Sequence, residues 1–143
     1  MMEAATLTRA RMIIQAPEAI TRAMTPQTNV FFLTRVPHDS LFPLCSAIVH
    51  HGGAGTTQSA LLARRASVIV PHATDQGFWA DTLHRHGAAA KPLSRKRLSA
   101  KALADRLTHV LEHEPTRARA QVLGDAISAE NGATKAAEYI EAL

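Results

Sequence analysis

The segment Ile48-Val49-His50-His51-Gly52-Gly53-Ala54-Gly55-Thr56-Thr57-Gln58 carries an apolar run through a glycine-rich turn into a stretch suited to a helix. A chain with that order folds most simply as a buried strand, a tight turn and a helix, the repeating unit of parallel α/β sheets. Glycine tolerates positive φ and close backbone approach, and the free amides and dipole at a helix start favour an anion. Gly52, Gly53 and Gly55 supply the closeness, Ala54, Gly55 and Thr56 the amides, and His50 at the strand's end one more hydrogen bond to a phosphate. The spacing is neither a Walker loop nor a clean dinucleotide G-x-G-x-x-G. On these residues alone two readings stand: a phosphate cradle, or a strand-to-helix turn that needs glycine for its own geometry.

The rest of the chain repeats the rhythm of short apolar runs separated by helical stretches. Met12-Ile13-Ile14, Val30 to Leu33, Ala47-Ile48-Val49 and Val68-Ile69-Val70 are continuous rather than alternating, as for strands covered on both faces; Ala88-Ala89-Ala90 is a weaker edge strand. Helices are predicted over Met2 to Arg9, Thr56 to Arg64, Phe78 to His86, Ser99 to His113, Thr116 to Ala129 and Ala133 to Ala142, with a turn around Ser40 to Leu44. Ser99 caps the clearest of them, whose Leu103, Leu107, Val110 and Leu111 share one face before Pro115. Leu123 with Ile127, and Tyr139 with Ile140, suggest that the last two helices pack on the same body. The expected fold is α/β, an open Rossmann-like parallel sheet flanked by helices. A helix, not a strand, comes first, so the first strand or strands of a complete sheet are expected to be missing.

With 143 residues, one domain spanning 1–143 is expected. Cys45 is the single cysteine, which excludes an internal disulfide and a multi-thiolate zinc site. His50 and His51 leave a strand on opposite sides and His84-x-His86 lacks a third ligand, so no metal is expected. No signal peptide or long apolar run is visible, which points to a cytoplasmic protein without an integral membrane segment. Although the chain carries a formal +4, acids are interspersed with bases and Arg95-Lys96-Arg97 has no aromatic neighbours, so nucleic-acid binding is not expected.

Three stretches in order, Val36-Pro37-His38-Asp39-Ser40-Leu41-Phe42-Pro43, the run from His50 to Thr57, and Pro71 with Asp75-Gln76-Gly77-Phe78-Trp79-Ala80, resemble the UDP-dependent glycosyltransferases of the GT-B fold. Within them the chain is most similar to the C-terminal, donor-binding domain of the sterol-type and antibiotic-type glucosyltransferases, and the similarity covers nearly its whole length. The resemblance implies that His50 binds the donor's diphosphate and that Gly53, Ala54, Gly55 and Thr56 form the cradle, with Gly52 among the donor-binding residues. It implies that Asp75 and Gln76 hydrogen-bond the sugar hydroxyls, a carboxylate accepting and an amide doing both. Arg35 stands where relatives stack an aromatic on uracil, Val36 where the backbone reads the base edge, and Gln58 where many carry the acid that binds ribose. Trp79 reads either as a core aromatic or as a sugar contact.

The helix after the glycine turn usually ends in an Ala-Gly-Val-Pro-like step, which here is Ala63-Arg64-Arg65-Ala66. Arginine in a left-handed cap costs about 1 kcal/mol relative to glycine, so a relaxed or different cap is expected. The family's reaction transfers a hexose, here expected to be glucose, from a UDP-sugar to a hydrophobic, lipid- or sterol-like acceptor with inversion. Its base is a histidine of an N-terminal acceptor domain, which none of the eight histidines here matches, so no catalytic residue is assigned within this chain and no cofactor beyond the donor substrate is implied. The implied partners are a UDP-sugar and an acceptor-binding N-terminal domain or separate subunit, with self-association through an uncovered cleft face as a further possibility. Three readings remain open: a truncated transferase, the donor subunit of a split enzyme, or a remnant that no longer binds nucleotide.

Overall fold

In a computed structural model that describes residues 1–73 and 75–143, the glycine turn joins a parallel strand to a helix as its sequence requires. Two parallel pairs are formed: β1 (Met12–Gln15) with β2 (Val30–Leu33), and β3 (Ala47–His50) with β4 (Ala66–Ile69). The second pair is extended when the Ser67 N–H donates to Ala88 O (3.2 Å) and Ala90 N–H to Ser67 O (3.0 Å), which is what becomes of the expected edge strand. Hydrogen bonding therefore divides the expected single sheet into two. The pairs meet through side chains instead: Met12 packs on the core around β4, and Leu33 and Val36 pack on Leu41, Phe42, Ile48 and Ala60.

Coverage on both faces holds for β4, which is buried throughout, because α6 (Ala100–Glu112) and α7 (Glu114–Glu130) pack on it. It fails for the first pair. Ile13 and Phe31 are register partners, and both are exposed, Phe31 by 63%. The apolar run there reflects strand propensity without burial on both sides.

Helices α1 (Met2–Thr8), α4 (Ala54–Leu62), α5 (Asp75–Arg85), α6, α7 and α8 (Gly132–Glu141) match the predicted segments to within a few residues. Two short helices, α2 (Glu18–Thr21) and α3 (His38–Leu41), come in addition, the latter running into a 3-10 turn at Phe42–Leu44. Ser99 Oγ accepts from Ala102 N–H at 3.1 Å, the expected cap, and Leu103, Leu107 and Val110 are buried. Pro115 opens α7 rather than merely ending α6, a position where its missing N–H costs nothing. Leu123 and Ile127 pack on the core as expected, but Tyr139 (75% exposed) and Ile140 do not, and α8 presents its apolar side chains to solvent.

The end of α4 overturns the expectation of an altered cap. Arg64 adopts φ 60°, its N–H donates to Leu61 O (2.7 Å), and Arg65 N–H donates to Ala60 O (3.0 Å). That bond pair is the Schellman geometry with arginine in the left-handed position usually held by glycine. Two contacts from α7 hold it there: Arg64 Nε pairs with Asp125 Oδ1 at 2.6 Å, and Gly124 lies against both the Leu61 carbonyl and the Arg64 stem.

Candidate functional site

Parallel strands deliver their carboxyl ends to one rim, where α/β sheets bind ligands. β3 leads there into the glycine turn, and β4 leads through Pro71 to α5. Gly52 has φ +93°, and a Cβ on it would lie 2.8 Å from Ile69 Cγ2 and 2.9 Å from the Gln76 carbonyl oxygen. Only glycine allows that approach, and through it the first turn of α5 is seated on the turn after β3. Gly53 is the N-cap of α4 in extended conformation, with the His51 ring lying against its Cα.

Helix α4 starts at Ala54 without a side-chain cap, and its ladder begins with Thr57 N–H donating to Gly53 O at 2.9 Å. The N–H groups of Ala54, Gly55 and Thr56 therefore have no carbonyl within the helix. Ala54 and Gly55 are exposed, and nothing stands within 4 Å of where a Gly55 side chain would be. This is a helix N-terminus open to an anion from solvent.

His50 stands directly before it, only 8% exposed. The Gly52 N–H donates to its Nδ1 at 3.1 Å, so that nitrogen is the acceptor and the ring proton sits on Nε2. Burial, followed by the neighbouring His51 and His38, pushes its pKa down to about 4 and keeps the ring neutral at pH 7. Nε2 is buried and has no hydrogen-bond partner among the described residues. Such a donor costs on the order of 1–3 kcal/mol while unpaired. His38, whose ring stacks on Phe42 at 4.3 Å, is a neighbour to which the Val36 to Pro43 stretch gives no role from sequence alone.

Gln76 Oε1 accepts from the N–H groups of His72 (2.7 Å) and Ala73 (3.0 Å). Its carbonyl thus shapes the loop before α5, leaving the amide NH2 as the group with donors to offer. Asp75 is the first residue of α5 and is exposed; Trp79 is half-buried, edge-on to the exposed Phe78 at 5.3 Å. Arg35 is exposed and Val36 half-buried in the irregular stretch after β2, and Gln58 is exposed on the second turn of α4. The structure brings His50, Gly52, Gly53, Ala54, Gly55, Thr56 and Gln76 together; no hydrogen bond between side chains ties Arg35 or Gln58 to them among the described residues. Arg64 lies at the opposite end of α4, paired with α7, and does not enter the site. Among the described residues no group of three His, Cys, Asp or Glu can hold a metal ion, and no helix is long and apolar enough to cross a membrane.

Comparison with known proteins now adds to this geometry. A sterol 3-beta-glucosyltransferase of Arabidopsis thaliana is 39% identical over 107 residues, covering 75% of this chain and 17% of that protein. The O-mycaminosyltylonolide 6-deoxyallosyltransferase of Streptomyces fradiae is 40% identical over 110 residues, covering 75% of this chain and 26% of that protein. This chain therefore matches only a small part of the length of these relatives. Among solved structures, the glycosyltransferase VinC in complex with dTDP superposes with a TM-score of 0.78 at 26% identity, over 90% of this chain and 34% of its own. The calicheamicin glycosyltransferase CalG4 shares the fold at a TM-score of 0.83 and 21% identity, over 99% of this chain and 38% of its own. The family model of the erythromycin biosynthesis protein CIII-like C-terminal domain matches residues 1–143. The chain belongs to that family and is a GT-B-type glycosyltransferase C-terminal domain related to the sterol and antibiotic enzymes.

Proposed function

We propose that this chain is the donor-binding part of an inverting glycosyltransferase that holds a UDP-hexose, with glucose as the sugar, for transfer to a hydrophobic, sterol-like acceptor. The observation that carries it is that the neutral His50, whose buried Nε2–H has no partner among the described residues, ends the strand from which the glycine turn leads into the uncapped start of α4. A diphosphate satisfies both at once: helix-start amides take its oxygens, and the imidazole donates one more hydrogen bond. As the sugar–phosphate bond breaks, these groups stabilise the charge that collects on the leaving diphosphate. Asp75 and the NH2 of Gln76 hold the hexose; Arg35 stacks on the base, Val36 reads its edge through the backbone, and Gln58 bonds the ribose. The acceptor site and the general base come from an N-terminal domain or a separate subunit, and general-base help of that kind contributes about 10² to 10⁴ in rate. By itself the chain binds donor without turning it over.

Titration calorimetry with UDP and with dTDP tests this reading. UDP binding is expected, stronger than dTDP binding, and weakened about tenfold to a hundredfold by His50→Ala, the range for losing a hydrogen bond to a charged group. Absence of binding by either nucleotide, or affinity unchanged in His50→Ala, would mark the chain as a remnant that keeps the fold without the ligand. Preference for dTDP would move the assignment to the deoxysugar branch of the family.

A further inference from the structure

The chain's positive charge is concentrated in one place that the donor reading does not use. Residues 84–119 hold nine Lys and Arg against three Asp and Glu, a surplus larger than the net +4 of the whole chain. Its densest part, from Lys91 to Lys101, has five cations and no acid. Arg95, Lys96 and Arg97 form an exposed 3-10 turn and enter no ion pair among the described residues, whereas Lys101 is paired with Asp105 at 3.2 Å. Leu98, next in the chain, is 45% exposed.

The sheet fixes where this turn sits. Val70 N–H donates to His50 O at 2.9 Å, and Leu93 N–H donates to Ile69 O at 3.0 Å. The strand-like stretch 88–90 runs parallel to β4, so the segment after it emerges on the same rim as the glycine turn. Two strand spacings, about 10 Å, separate its root from His50. Leu93 is buried and holds that root rigidly. Phe78, 60% exposed on the first turns of α5, adds an apolar group near the same rim.

We infer that the Arg95–Arg97 turn, with Leu98, docks this rim on an anionic lipid headgroup surface. Clustered cations beside an exposed apolar residue are attracted to acidic headgroups, and the apolar residue enters the interface. Single-stranded nucleic acid is a poorer match, since Arg95 to Leu98 includes no aromatic on which bases stack. The consequence rests on the donor reading: the turn lies to the side of the glycine turn, so docking there leaves the glycine turn facing the acceptor-binding domain and holds both beside a membrane-dissolved acceptor. The docking itself does not depend on that reading.

The test is co-sedimentation of the full chain with vesicles of phosphatidylcholine containing phosphatidylserine, and of phosphatidylcholine alone, with UDP calorimetry on the same samples. Binding is expected only with phosphatidylserine and is expected to fall as salt rises. The triple change Arg95→Ala, Lys96→Ala, Arg97→Ala is expected to weaken it on the order of a hundredfold, at about 1 kcal/mol per charge. Lys96→Glu, a single exposed change that leaves the turn intact, should weaken it tenfold or more. UDP affinity should change by less than about threefold in both, because exposed charges beyond a Debye length are screened. Equal binding to both vesicles, no binding to either, or release by inorganic phosphate at constant ionic strength would overturn the inference. So would tighter capture of a single-stranded RNA than of the vesicles, or a tenfold loss of UDP affinity with vesicle binding unchanged. Loss of UDP binding in His50→Ala with vesicle binding retained leaves the docking standing, which separates failure of one reading from failure of the other.

Discussion

The two ends of α4 are opposites. At its C-terminus both bonds of the cap are made, the left-handed Arg64 is paired with Asp125, and Gly124 brings α7 onto the Leu61 carbonyl. At its N-terminus there is no side-chain cap, the first residues are exposed, and the neighbouring His50 keeps a buried N–H unpaired. A helix end normally finds partners for its orphan groups. The contrast teaches that one end fastens the helix to the body of the protein while the other keeps its polar groups in reserve for a ligand. Fixing the far end is what allows the near end to stay open without fraying.

The strongest way to break this comparison is at the fastened end. Glycine inside a helix normally costs about 1 kcal/mol relative to alanine, so Gly124→Ala on an ordinary helix face would stabilise. Here a Cβ would fall well inside contact distance of the Leu61 backbone oxygen, which cannot turn away as a side chain can. Overpacking against backbone reverses the sign, and a destabilisation of about 3 kcal/mol or more is expected in urea unfolding. If Gly124→Ala proves neutral, α7 is not fastened to α4 as described.

Next in size is an effect of the open end on stability. His50 has a folded pKa of about 4 against an ordinary 6.5, so between those values the unfolded chain binds a proton that the folded chain refuses. Stability from this group is complete above pH 6.5 and is lost as pH falls toward 4. By pH 4.5 the loss is roughly 2 to 3 kcal/mol, and unfolding measured from pH 7 to 4.5 should show it. In His50→Gln this part of the acid dependence should vanish. An unchanged slope would mean that His50 is not the buried neutral ring on which donor binding depends.

Much of this contrast could be read in the sequence, but unevenly. The strand, turn and helix from Ile48 to Gln58 were legible because apolar runs, glycines and helix formers each obey local rules that agree with one another. The Ser99 cap was legible for the same reason. What could not be read depends on elements distant in the chain. Ile13 and Phe31 look like a doubly covered strand pair because sequence reports propensity, not which layer lies above. Tyr139 and Ile140 have an amphipathic pattern with no way to say what meets it. Gly52 was visible as a glycine, but its seat against Gln76 joins two motifs 24 residues apart. The arginine at position 64 is conspicuous in the sequence, whereas its remedy, Asp125, lies 61 residues on.

That remedy gives the smallest expected effect and the finest test of the comparison. Arg64→Gly relieves a left-handed arginine, which is favourable by about 1 kcal/mol. It also removes an exposed ion pair, a loss of about 0.2 to 1 kcal/mol, and adds glycine's larger unfolded-state entropy, which costs about 0.5 to 1 kcal/mol. The contributions nearly cancel, so Arg64→Gly is expected within about 1 kcal/mol of the parent. Asp125→Asn removes only the ion pair and should cost less than about 1 kcal/mol, diminishing with salt. Were Asp125→Asn to cost more than Arg64→Gly changes in either direction by a wide margin, the pair would be holding the strained residue in place rather than decorating it. UDP affinity is the readout that decides whether the two ends act independently. Both variants should leave it unchanged within about twofold, because α4 is a rigid helix of about 13 Å and neither residue reaches the glycine turn. A larger shift would mean that strain at the fastened end is transmitted along the helix to its open start.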